Sequence, residues 1–313
     1  MKVGDIIEKI INIIIEKNKN LFGDNLSVKK INVGFTNTVY NINDSFIVKI
    51  CSNINNENEF KKEIDFYKAN ENNTLIPKLY YSDTQKIDVP YIYEIIEKVE
   101  GVTLYYVWHK FSEEQRENVI KQLCDAMKQM HLNIGKNYDW IEYNKNRFNN
   151  LFEIAKNNKL LNDDEIKIIY EAYSLFDKYL ESDQVVLIHN DLHFDNIFVN
   201  DEKIKIIDFE RSMYAPKDFE LHILYYMIRQ PWKHANEECE EYTKVEDYVN
   251  IMSYVEKYYP EIINTPYLYK RLAIYDLIYE LSHFVKYLEH YDELKEAVIE
   301  NAKKIILEDV NNG

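Results

Sequence analysis

Cysteine, glycine and proline are all scarce. Cys51, Cys124 and Cys239 stand far apart in 313 residues. That spacing excludes a disulfide framework and a CxxC-type metal site, and it points to a reducing compartment, the cytoplasm. Six glycines and six prolines leave few breaks, which argues for long helices and short turns. With so few glycines, neither G-x-G-x-x-G nor G-x-x-x-x-G-K-[ST] occurs, so the two common glycine-rich phosphate loops are absent. Basic residues are outnumbered: 38 Lys and Arg against 54 Asp and Glu give a formal charge of −16. Phosphate neutralisation needs basic surface, so nucleic acid and anionic membrane are excluded as general partners, whereas a cationic substrate fits. No run nears the ~20 apolar residues of a membrane span. A monomer is expected.

What is present is 46% hydrophobic, enough for a sizeable core, over a length that suits two domains. Ile6, Ile10, Ile13 and Ile14 recur at helical spacing, so the first residues read as an amphipathic helix and not as a signal peptide. Ser27–Val33, Thr38–Ile42 and Phe46–Ile50 read as strands, with Asn43-Asp44-Ser45 as a polar turn. The period changes to helical over Glu57–Ala69, and Tyr91–Ile96 reads as a further strand. Ser112 with Gln115 forms a capping box before a helix whose core stripe runs from Val119 to Met130. Val185–Ile188 is a short buried strand, Ile197–Val199 and Lys203–Ile207 make a hairpin, and from Leu221 onward the pattern is helical. The fold class is therefore α+β: a small N-terminal antiparallel β lobe, residues 1–97, and a larger mainly helical C-terminal lobe, 98–313.

The most informative stretch is His189-Asn190-Asp191-Leu192-His193-Phe194-Asp195-Asn196, followed by Ile207-Asp208-Phe209. A buried strand delivers Asp191 to a loop, Asn196 follows five positions later, and Asp208 ends the next strand but one. Phosphoryl transfer needs such a set: a carboxylate for the proton of the attacking hydroxyl, and an amide oxygen with a carboxylate for hard Mg²⁺. The order H-x-D-x-x-x-x-N, hairpin, I-D-F resembles the kinase-like aminoglycoside phosphotransferase family, which also includes choline, homoserine and fructosamine kinases. The usual wording there is close to H-G-D-L-H-x-x-N.

The resemblance implies a protein-kinase-like two-lobed fold. It implies Asp191 as catalytic base supported by His189, Asn196 and Asp208 as Mg²⁺ ligands, and Lys49 on the third strand as the lysine that grips the nucleotide's phosphates. A buried ammonium needs a carboxylate; Glu59 and Glu63 are both within a turn of the right place, and Glu63 shares the inward face with Phe60 and Tyr67. Gly34, Thr36 and Asn37 fall in what looks like the nucleotide loop. Glu97 and Val99 fall where the family's hinge meets the purine edge, with ATP and GTP both open. Glu220 stands in place of the aspartate of P-x-x-D-L and would tie down the catalytic loop.

The acceptor is less constrained. Asp276, Glu280 and His283 lie on one stripe of an apolar helix. Either they receive the amines of a cationic, hydroxyl-bearing substrate, or they form an interhelical network. Trp232 and the tyrosines offer faces for a sugar or a quaternary ammonium. An aminoglycoside is the leading acceptor, choline, an amino alcohol or a sugar the alternative, and a non-catalytic kinase-like binding protein the last.

Overall fold

The structure is a computed structural model that describes residues 3–31, 37–182, 184–233, 235, 238–287 and 290–307, with side chains from residue 7 onward. By compactness the chain forms two units, residues 1–130 with 194–212, and residues 131–193 with 213–313.

In the first unit β1 (Val28–Ile31), β2 (Thr38–Ile42), β3 (Phe46–Ile50), β4 (Leu79–Asp83) and β5 (Tyr93–Glu97) form an antiparallel sheet in the order β1-β2-β3-β5-β4. The turn between β2 and β3 works because Asn43 and Asp44 both take φ of +56°, the left-handed conformation these short polar side chains tolerate best. Strand alternation then divides the sheet. Tyr40, Ile42, Val48, Ile50, Tyr93 and Ile95 face one way and pack against Ile7, Ile10, Ile11, Ile14 and Ile15 of the helix Val3–Lys17. Each such isoleucine contributes roughly 1.5–3 kcal/mol on full burial. The expected stripe was partly misplaced: Ile13 is 44% exposed, because the buried face runs through positions 7, 11 and 15 as well as 10 and 14.

The opposite sheet face carries Lys49 and Glu94, which are direct cross-strand partners. The helix Glu57–Ala69 buries Phe60, Glu63, Ile64, Phe66 and Tyr67. The hairpin Ile197–Asn200 and Lys203–Ile206 is extended by Val102–Thr103. Gly101, with φ of +104°, precedes that pair; a Cβ there would sit 2.2 Å from the Val199 carbonyl oxygen, so only glycine fits. The helix Glu113–Met130 opens with the expected capping box, Gln115 N–H donating to Ser112 Oγ at 3.3 Å and Ser112 N–H to Gln115 Oε1 at 3.0 Å.

The second unit is mainly helical. Val186–Ile188 pairs with Met213–Ala215, and the helices include Trp140–Asn157, Asp163–Tyr173, Leu221–Arg229, Leu268–Phe284 and Tyr291–Ile306. Leu268–Phe284 is buried nearly all round, and its buried Arg271 is matched by Asp218 at 2.6 Å, as a buried guanidinium requires. Among the described residues no helix is long and apolar enough to cross a membrane.

Candidate active site

In the first unit the side chains converge on Lys49. Its Nζ lies 2.5 Å from Glu63, 3.7 Å from Glu210 and 3.9 Å from Glu94. Glu59 is exposed, so the ion pair falls to Glu63. Burial lowers the pKa of the Lys49 ammonium, but Glu63, Glu94, Asp208 and Glu210 outweigh it and hold it above the ordinary lysine value. Tyr67, one helical turn after Glu63, donates to the other Glu63 oxygen at 3.4 Å.

Glu94 escaped the sequence reading, and Glu210 stood there only as the residue after Phe209, with no site role. Glu94 is fully buried and neither of its oxygens has a hydrogen-bond partner. Burial, reinforced by Glu63, pushes its carboxyl well above the usual range despite the pull of Lys49. A lone acid inside an aliphatic strand is the signal that marks it. Glu210 is likewise raised by burial, against the pull of Lys49, and accepts from Asn37 Nδ2 at 2.5 Å. Gly34 and Thr36 lie outside the described residues. Phe209 locks this segment, stacking on Phe66 at 4.1 Å and meeting Tyr67 edge-on at 5.3 Å. Asp208, just before it, has φ of +66°, the left-handed region that aspartate, like asparagine, adopts more readily than other side chains.

The loop with Asp191 belongs to the second unit as far as His193, and Asn196 to the first. His189 is buried, and its Nδ1 faces the Asp191 N–H at 3.2 Å. Asn190 has φ of +64°. This accounts for the departure from the usual glycine: asparagine is among the few residues that adopt this conformation readily. Glu220 secures the loop by accepting from His189 N–H at 2.7 Å and Asn190 N–H at 3.1 Å. His131 Nε2 lies 3.6 Å from Glu220, and His131 Nδ1 meets Tyr259 Oη at 2.8 Å. Burial pushes the Glu220 carboxyl up, but His131 and His189 outweigh it and hold it below its ordinary value. Asp191 keeps 18% side-chain exposure, with His193 Nε2 at 3.9 Å. Asn196 is buried, and its carbonyl accepts from Ile207 N–H at 2.9 Å.

Glu97, Val99 and Phe198 line a cavity of about 1310 Å³ in the first unit. Glu97 is tied to Lys205 at 2.5 Å. On the helix Leu268–Phe284, Asp276 and Glu280 are 1% exposed and already paired. Asp276 meets Arg229 and, at 3.2 Å, His222; Glu280 accepts from Tyr226 and has Lys233 at 3.9 Å. His283 lines a smaller cavity beside them, and Trp232 is exposed.

The antiparallel β part followed by a helical part is the fold of kinase-like phosphotransferases, and the solved structures agree. The streptomycin–ATP–APH(2″)-IIa ternary complex aligns with a TM-score of 0.63 at 18% identity over 95% of this chain and 98% of that one. The ternary complex of APH(4)-Ia with AMP-PNP and hygromycin B aligns at 0.60 and 15% identity, over 94% and 97%. In sequence, the "Protein LicA homolog" of Mycoplasma capricolum subsp. capricolum is 28% identical over 212 residues, 67% of this chain and 75% of that protein. The profile of the "Phosphotransferase enzyme family" matches residues 27–247. The chain belongs to this family and is a phosphotransferase.

Proposed function

We propose that the chain transfers the γ-phosphoryl group of ATP or GTP to a hydroxyl of a small cationic molecule, with an aminoglycoside as the acceptor. One observation carries the reading: a strand lysine held charged by a buried helix glutamate, with Asp208 near enough to act on it, in a chain that also presents the H-N-D-x-x-x-x-N loop. Lys49 grips the nucleotide's phosphates, and Glu63 aims it. Asn37 reaches the phosphate side through Glu210, and backbone groups near Glu97 and Val99 meet the purine. Asp191 accepts the proton of the acceptor hydroxyl as the new O–P bond forms and the bond to the departing diphosphate breaks; His189 orients Asp191.

Asn196 and Asp208 would hold Mg²⁺, which when bound neutralises charge on the phosphates. The donors fit: an amide oxygen and a carboxylate are hard ligands. The proposed setting is the cytoplasm, where the buried Cys51, Cys124 and Cys239 stay reduced, and the proposed state is a monomer.

A second reading, an amino alcohol such as choline as acceptor, is favoured by the pairing of Asp276 and Glu280 inside the protein. That pairing leaves little free acid for a polyamine. Asp191→Ala tests the reaction itself: turnover of either acceptor should fall ~10²–10⁴-fold while nucleotide binding persists. Undiminished turnover refutes the base.

A further inference from the structure

Three carboxylates pair with Lys49, and one of them is unlike the others. The side chains of Glu63 and Glu94 are fully buried, whereas that of Glu210 keeps 24% exposure. Glu63 stands on a helix with Tyr67 bonded to its second oxygen, and Glu94 is fixed by its strand directly across from Lys49. Glu210 has neither support. It follows Phe209, whose ring is locked against Phe66 and Tyr67. The backbone there is held, and the side chain is the part that turns, from one staggered rotamer to another.

The Glu210 carboxylate bridges two donors. A single oxygen, Oε1, stands 3.7 Å from Lys49 Nζ and accepts from Asn37 Nδ2 at 2.5 Å. Asn37 is the residue before β2, and Lys49 lies on β3. An ammonium and an amide N–H are donors of the kind that hold phosphate oxygens; here they hold a carboxylate oxygen. Lys49 does not need it for neutrality, because Glu63 already supplies a counter-charge at 2.5 Å. Glu63 and Asp208 also press like charge on Glu210, and burial works against its charged form. A carboxylate that is redundant, repelled and partly exposed is held weakly.

We propose that Glu210 is an internal stand-in for a phosphate: it fills the anion seat between Lys49 and Asn37, and a polyphosphate enters by displacing it and taking over both donors. Exchange of one anion for another leaves Lys49 balanced, so the seat selects an anion of higher charge than a carboxylate. The seat and its internal competitor stand on this geometry alone. That the incoming polyphosphate is the tail of ATP or GTP rests on the phosphotransfer reading above.

The test titrates the full chain, in metal-free buffer, with inorganic tripolyphosphate by calorimetry. Glu210→Gln keeps the shape and removes the charge, and Glu210→Ala removes the occupant. Both should tighten binding ~5–10-fold. Glu71→Gln removes the same charge from an exposed position of the first unit, where salt screens it, and should bind as wild type. Asn37→Ala introduced into the Glu210→Ala chain should weaken binding ~5-fold, because Asn37 then donates to the ligand. The proposal is overturned if tripolyphosphate binds none of these proteins, if both Glu210 variants bind as wild type or more weakly, if Glu71→Gln tightens binding equally, or if the added Asn37→Ala costs nothing. Tighter binding in the Glu210 variants with turnover intact in Asp191→Ala keeps the stand-in and removes the phosphotransfer reading; unchanged binding with turnover lost in Asp191→Ala does the reverse.

Discussion

Two acid clusters, one in each unit, are built on opposite plans. Around Glu220 one carboxylate is matched by two backbone N–H groups and a neighbouring imidazole. Around Lys49 one ammonium serves Glu63, Glu94 and Glu210, and Glu94 is left without a hydrogen bond. Buried polar groups are normally satisfied; the Glu220 carboxylate is, by two backbone N–H groups, and it acts as an anchor. The second has more acid than it can balance. That excess fits a site which receives positive charge along with its ligand, as a magnesium nucleotide brings to the phosphate grip proposed here.

The contrast can be broken at either end. The largest effect is expected at Lys49. Lys49→Met strands several carboxylates, and breaking a buried pair costs about 3–5 kcal/mol. Urea unfolding should show a loss of that order together with loss of nucleotide affinity. If stability is unchanged, the carboxylates do not depend on this ammonium.

Glu220→Ala should come next. It leaves the buried His189 N–H and the Asn190 N–H unpaired, at about 1–3 kcal/mol for each group. Its sign with pH is fixed by the lowered carboxyl: the contribution is present above the ordinary glutamate pKa and lost as pH falls through the folded value. Glu220→Gln should therefore flatten the acid side of the stability curve; an unaltered acid limb counts against the anchor.

The smallest effect, of opposite sign, belongs to Glu94. Its carboxyl is raised by burial, so its contribution is full below the ordinary glutamate range and is lost as pH climbs toward the folded value. Glu94→Gln should match wild type in acid and show a higher denaturant midpoint at neutral pH. A lower midpoint at neutral pH would mean that Glu94 is a charged partner of Lys49 after all.

The parts of this plan that the sequence discloses are the local ones. The capping box at Ser112 and Gln115 is decided within four residues. Val48 and Ile50 alternate with Lys49, and Glu63 shares a helical face with Phe60 and Tyr67, so both can be read by spacing. Glu94 is hidden because its meaning depends on register: it matters only once β3 and β5 pair Lys49 with a residue 45 positions on. Asp276 and Glu280 were visible as a stripe, but their partners Arg229 and Lys233 sit on other elements, where no periodicity points. Strands as short as Val102–Thr103 and Met213–Ala215 are held by pairing, not propensity, and leave no pattern to find. Asn190, an apparent departure from the family wording, became intelligible only through its positive φ.

The most direct test of the account is calorimetric titration of ATP and GTP with and without Mg²⁺, on wild type and on Asp208→Asn. The account predicts that Mg²⁺ strengthens nucleotide binding to wild type by tenfold or more, about 1.4 kcal/mol, and that Asp208→Asn binds as weakly with the ion as wild type does without it. Equal Mg²⁺ enhancement in both proteins would contradict the claim that Asp208 and the excess acid around Lys49 form the seat of a magnesium nucleotide.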